Sequence, residues 1–335
     1  MRRWSLAVLL AATACAAPGR GGGAGGGNVL GSPWLASERL ARGSTRVEVL
    51  TIAPDPSLRS PVQPDRRIPE APRAIGGALT LPPGAGPFPA VVVLHSTAGI
   101  DGRATPYVQA LREAGIAALQ IDMWGPRGVL PGVDLSRARP RSTFHTLADA
   151  VGALAFLAAH PKIDRDRIGV MGQSWGAVMG LRLASPEVRS AFPKPDVWFK
   201  GVASLYPVCW AFAVPGTASH RVVAGRWPLM PILVLAAGIE DYDTRPDGQD
   251  CRDAFGGRIR PVDGAPVLLH VYGGVTHAWD RLRQGEVTFF DPAAAGGRGG
   301  PVRVVRNEEA ARDSVRRVRD FFAAVLTPSP PAGLR

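Results

Sequence analysis

The sequence predicts an α/β protein built on a mostly parallel sheet with helices on both faces. Three observations carry that prediction. Short runs rich in Val, Ile, Leu and Ala recur along the chain, and they lack the apolar/polar alternation of strands that have one wet face. Between these runs lie segments of helical period, so strands and helices alternate, as parallel pairing with crossover helices requires. One strand-like run also leads into a glycine-flanked turn, Gly172-Gln-Ser174-Trp-Gly176, and then into a small-residue helix.

The elements follow in order. Strands are expected over residues 46–52 and 77–81, separated by a Pro-rich loop and forming an antiparallel entry to the sheet. The alternating series begins with strand 90–94, helix 105–114, strand 116–121, helix 142–160, strand 168–171 and helix 175–184. Strands 202–206, 231–237 and 267–272 continue it, and a helix over 307–326 closes it. Val315, Val318, Phe322 and Val325 mark one apolar face of that last helix.

With 335 residues, 46% of them hydrophobic and 20% charged, the chain has enough apolar material for one large packed domain, so wholesale disorder is excluded. No apolar run reaches the roughly 18 residues of a spanning helix, and three cysteines are too few for a disulfide-built scaffold. The net charge of +11 does not point to nucleic acid. Only Lys162, Lys194 and Lys200 are lysines, and the arginines are spread along the chain instead of gathering with aromatics.

Residues 1–17 read as an export signal: Arg2 and Arg3 precede an apolar run over residues 6–12 and a small-residue cleavage zone at 13–17. Two outcomes are expected of such a segment. Cys15, preceded by Ala12-Thr13-Ala14, resembles a bacterial lipobox cysteine and would anchor the chain to a membrane through lipid. Alternatively, ordinary cleavage would release a soluble exported product. Residues 18–31 are a Gly-rich linker, 32–327 the folded domain and 328–335 a tail.

The Gly172–Gly176 segment matches the G-x-S-x-G nucleophile elbow, in which a serine on a strained turn exposes its hydroxyl while flanking glycines let helix and sheet approach. Such a serine needs an acid and then a histidine later in the chain. Of six histidines only His220, His270 and His277 follow Ser174. The strand over 231–237 runs into Glu240, Asp241 and Asp243, which leaves His270 and His277 beyond the acid. His270 lies inside an apolar strand and reads as structural, whereas His277 sits on a loop past that strand. No H-E-x-x-H or C-x-x-C spacing supports a zinc site, and the chemistry calls for neither metal nor organic cofactor.

Over residues 77–326 the sequence resembles the dienelactone hydrolase branch of the α/β-hydrolase fold. The resemblance rests on Pro87-Phe-Pro-Ala-Val-Val-Val-Leu-His95, Ile121-Asp-Met-Trp-Gly-Pro-Arg-Gly128, the elbow, Gly238-Ile-Glu-Asp241 and Tyr272-Gly-Gly-Val-Thr-His277. It implies a serine-nucleophile hydrolase of carboxylic esters or lactones working through an acyl-enzyme, with Ser174, Asp241 and His277 as the triad. By family spacing the acid is Asp241, with Glu240 and Asp243 beside it. Backbone N–H groups of Thr97 and Trp175 would hold the oxyanion. Trp124 and Arg127 are candidates for substrate contact, although Arg127 could equally tie down its loop through backbone carbonyls. Cys209 and Cys251 resemble a pair found in serine-type members and would close a disulfide in an oxidising compartment. The partner expected is a small ester or lactone. The rival readings are another esterase or peptidase on the same fold, and an exported binding protein that has lost catalysis.

Overall fold

The computed structural model describes residues 28–55, 71–131, 143–192, 194–223, 227–256 and 264–326. The proposed signal, Cys15, most of the linker and the C-terminal tail lie outside the described residues.

Eight strands form one sheet in the order β1-β2-β4-β3-β5-β6-β7-β8. Strands β1 (Thr45–Leu50) and β2 (Ala74–Thr80) pair antiparallel, and β2 lies antiparallel to β4 (Ala117–Ile121). All the following pairs are parallel, through β3 (Phe88–Leu94), β5 (Ile163–Gln173), β6 (Val202–Leu205), β7 (Ile232–Ile239) and β8 (Val267–Thr276). The antiparallel entry and the parallel series are as the sequence predicts. The helices that position the site are α1 (Thr105–Glu113), α2 (Thr143–Ala159), α3 (Trp175–Leu183), the short α4 (Trp210–Ala213), α5 (Gln249–Phe255) and α6 (Glu308–Leu326).

Two apolar layers sandwich the sheet, and β3 shows why its sequence is continuously apolar. Ala90, Val92 and Leu94 enter the layer shared with α2 and α3, while Val91 and Val93 enter the layer shared with α1 and α6. Alternate residues of a strand point to opposite faces, so a central strand covered on both must be apolar throughout. In α6, Val318 and Phe322 are fully buried on the predicted face, with Val315 and Val325 packed at its margin.

Three features were not foreseen. Val29–Gly31, within the expected linker, forms a 3-10 turn so close to β2 that a Cβ on Gly76 would meet the Val29 carbonyl. Strand β5 runs 11 residues and ends at Gln173, directly before the elbow serine. Between β8 and α6 stands a separate antiparallel hairpin, β9 (Glu286–Asp291) with β10 (Gly300–Val305).

Candidate active site

Ser174 occupies the turn between β5 and α3 with φ of 52° and ψ of −110°. L-residues rarely adopt positive φ, and here the neighbours enforce it. The Ser174 N–H donates to the Leu205 carbonyl at 3.0 Å, and its own carbonyl accepts from Val178 at 3.0 Å. The flanking glycines are steric necessities: a Cβ on Gly172 would meet the backbone of Gly176, and one on Gly176 would meet the Leu94 carbonyl. That close approach of helix to strand projects the serine side chain at the carboxyl ends of the strands.

His277 lies on the turn just after β8, and its Nε2 is 2.9 Å from Ser174 Oγ. Its Nδ1 is 2.7 Å from Glu240 Oε2. A donor–acceptor chain therefore runs from the serine hydroxyl to Nε2, and from Nδ1–H to the carboxylate. The side chains of His277 and Glu240 are 5% and 2% exposed, so water competes little for these bonds. Rings of Tyr206 and Tyr242 flank the imidazole, with centroids at 4.9 and 4.8 Å.

The acid expected from family spacing, Asp241, is not the histidine's partner. Its Oδ2 accepts the N–H of Arg303 on β10 at 2.7 Å, and its carbonyl accepts that of Ala295 at 2.9 Å. The reason is local. Strand β7 runs through Ile239, with a register irregularity against β8 between Ala237 and Ile239. Glu240 is thus the first residue past the strand and takes the side facing His277, leaving its neighbour Asp241 to the hairpin. Asp243 is buried and accepts the Trp210 N–H at 2.8 Å. Burial, reinforced by the nearby Glu240 charge, pushes its carboxyl well above the usual carboxylate range.

The loop after β3 carries Ser96 and Thr97, both of which line the cleft with Ser174 and His277. Three side chains hold this loop. His95 donates from Nδ1 to the Ser96 carbonyl at 2.7 Å and accepts the Met123 N–H at Nε2 at 3.0 Å, which fixes one neutral tautomer. Its burial keeps the imidazole below its ordinary titration range, in keeping with that assignment. Arg103 donates to Ser96 Oγ at 2.6 Å and to Asp101 at 2.7 Å. The Trp124 indole donates to the Thr97 carbonyl at 2.9 Å. Trp175 opens α3, where the first N–H groups of a helix have no intrahelical partner.

Two candidates for substrate contact are displaced by these contacts. Trp124 is fully buried and braces the Thr97 loop instead of facing the cleft. Arg127 donates to the Met123 carbonyl at 2.7 Å and grips the buried Asp149 through both guanidinium ends, at 2.7 and 3.0 Å. It is the loop tie, and the cleft lies elsewhere. His270 sits half-buried on β8, edge-on to Tyr272 at 4.4 Å and away from the cleft, as a structural histidine should.

Sequence reasoning overlooked Asp280. This buried carboxylate accepts from Gln173 at 2.8 Å, Tyr206 at 2.8 Å and Tyr107 at 3.0 Å, tying the residue before the nucleophile to the ring that flanks His277. Burial raises its carboxyl above the usual range, against the opposing charge of Arg103.

Cys209 and Cys251 are joined by a disulfide with Cα atoms 4.9 Å apart, linking the start of α4 to α5. With Asp243 they form a group of potential metal ligands, but the sulfurs are bonded to each other and so offer no thiolate.

A nucleophile elbow at the carboxyl edge of a mostly parallel sheet, faced by a histidine and an acid from later loops, defines an α/β hydrolase. The dienelactone hydrolase family model matches residues 75–326, and the chain belongs to that family. Among solved structures it is similar to a dienelactone hydrolase-like promiscuous phosphotriesterase from metagenomic libraries. The TM-score is 0.55 at 17% identity, covering 85% of this chain and 100% of the other. It is also similar to a dienelactone hydrolase from Anabaena variabilis, with a TM-score of 0.50 at 16% identity over 85% and 100% of the two chains. These likenesses are of fold. Among curated proteins it is 30% identical over 154 residues to acyl-coenzyme A amino acid N-acyltransferase 1 of Mus musculus, covering 45% of this chain and 32% of that one. A Rattus norvegicus N-acyltransferase 2 is 34% identical over 112 residues, covering 33% and 24%. The chain thus spans a third or less of the length of these curated relatives.

Proposed function

We propose that the chain hydrolyses carboxylic esters or lactones through an acyl-enzyme on Ser174, with His277 as general base and acid and Glu240 as its orienting carboxylate. The observation that carries this reading is the Ser174 Oγ to His277 Nε2 to Glu240 chain, formed at a strained elbow. His277 takes the hydroxyl proton as Oγ bonds to the substrate carbonyl carbon. The oxyanion faces the backbone N–H groups of Thr97 and Trp175, a contribution usually worth about 3–4 kcal/mol per donor. Collapse breaks the bond to the leaving alkoxide, which receives the proton from Nε2. Water then adds to the acyl carbon as His277 takes its proton; the bond from that carbon to Oγ breaks, Oγ regains the proton from Nε2, and the acid leaves. Glu240 holds the Nδ1–H tautomer throughout and stabilises the imidazolium.

The similarity to N-acyltransferases supports a second acceptor for the same intermediate, an amine in place of water. The disulfide supports export to an oxidising compartment, by either outcome at Cys15. A panel of p-nitrophenyl esters, lactones and peptides tests the reading. Ester or lactone cleavage is expected, with Ser174→Ala lowering kcat by at least about a thousandfold. A variant keeping more than about a tenth of the activity would overturn the assignment. Adding a free amino acid is expected to leave the acid as the product; an N-acyl amino acid would favour the second acceptor.

A further inference from the structure

We infer that the β9–β10 hairpin is a wall of the substrate cleft that selects esters carrying a linear apolar chain, a refinement that rests on the ester-hydrolase reading. The catalytic Ser174 and His277 open into a cleft of about 410 Å³ whose lining also includes Leu282, Val287, Phe289 and Val304. The hairpin register places Val287 opposite Val304 and Phe289 opposite Val302. Residues directly opposed, and those two apart on one strand, share a face. That face is therefore an apolar strip about 7 Å long between Val287 and Phe289. Its base is buried, since Val302 and Val304 are 0% and 6% exposed, but Leu282, Val287 and Phe289 remain 53%, 42% and 42% exposed. The fold leaves their covering to whatever occupies the cleft.

The hairpin is tied to the loops that carry the triad. Asp241, next to Glu240, accepts the Arg303 N–H, and the Tyr242 hydroxyl donates to Asp291 at 2.9 Å. Thr276, next to His277, accepts the Val305 N–H at 2.8 Å. The strip is thereby held in a fixed relation to the serine, as a specificity wall must be. An ester whose carbonyl sits at Ser174 and whose hydrocarbon chain lies along Val287 and Phe289 covers surface that is otherwise wet, while an acetyl ester of a short alcohol covers none.

The chain could belong to the acyl or the alcohol side, and two series distinguish them: p-nitrophenyl acetate against hexanoate, and ethyl acetate against hexyl acetate. In one series, kcat/KM of the full chain is expected to rise about tenfold, short of the roughly two-hundredfold that complete burial of four methylenes would supply. Phe289→Ser, alone and with Val287→Thr, is expected to bring that ratio within about twofold of unity, while Phe289→Leu keeps most of it. Phe290→Ser controls for the hairpin, because Phe290 is 70% exposed on the opposite face; its ratio is expected to match the wild type. A flat wild-type profile in both series, or an equal loss in Phe290→Ser and Phe289→Ser, would overturn the inference. Serine-dependent acetate hydrolysis with a flat profile sinks this inference alone; hydrolysis that survives Ser174→Ala, or none on any ester or lactone, sinks the underlying reading with it.

Discussion

At the scale of single residues, the histidine's partner is decided by one position in the chain, since Glu240 and Asp241 are adjacent acids pointing opposite ways. Glu240→Gln removes the charge opposite Nδ1 and permits the wrong tautomer, so kcat is expected to fall by roughly a thousandfold or more. Asp241→Asn keeps an acceptor for the Arg303 N–H and is expected to cost less than about tenfold. Steady-state kinetics of the two variants on one ester checks this, and the reverse order of severity would restore Asp241 to the triad. Ser174 and His277 were legible in the sequence because motif and chain order restrict them. The acid was narrowed to three candidates and then misassigned by one, because counting from Gly238 cannot register where β7 ends or how its pairing slips. Asp280 was illegible for another reason: its partners Tyr107, Gln173 and Tyr206 are brought to it only by the fold.

At the scale of elements, strands buried on both faces announced themselves as continuous apolar runs, and α6 through its periodic face. The β9–β10 hairpin did not. Its two strands are not continuously apolar like the buried ones but are set among Gly, Arg and Pro, and their alternation of Val287 with Phe289 and of Val302 with Val304 is too brief to separate from a loop. The bond between Cys209 and Cys251, which the family resemblance implied, joins α4 to α5 beside the acid loop. It closes a loop with a sequence separation of 42, for which chain entropy gives about 4 kcal/mol. The Cys209→Ala, Cys251→Ala double variant is expected to lose stability of that order in urea unfolding, with the midpoint falling accordingly. An unchanged midpoint would mean that the bridge does not constrain the unfolded chain.

At the scale of the whole molecule, the parallel sheet gathers at its carboxyl edge groups that lie far apart in sequence. The elbow follows β5, the acid follows β7 and the histidine follows β8, while the loop after β3 lines the same cleft. The parallel character of the sheet was legible in the alternation of strands and helices, because parallel neighbours need crossover connections. The shape of the cleft was not, since Arg127 and Trp124, which flank a conspicuous motif, turn inward to brace loops. The proposed mechanism carries the acyl group of the substrate covalently on Ser174. Rapid acid quenching of the protein mixed with excess p-nitrophenyl ester, followed by peptide mapping by mass spectrometry, measures this directly. An acyl group on the peptide containing Ser174, absent from the Ser174→Ala variant, is the expected result; turnover with no acylated serine, or acylation at another residue, would contradict it.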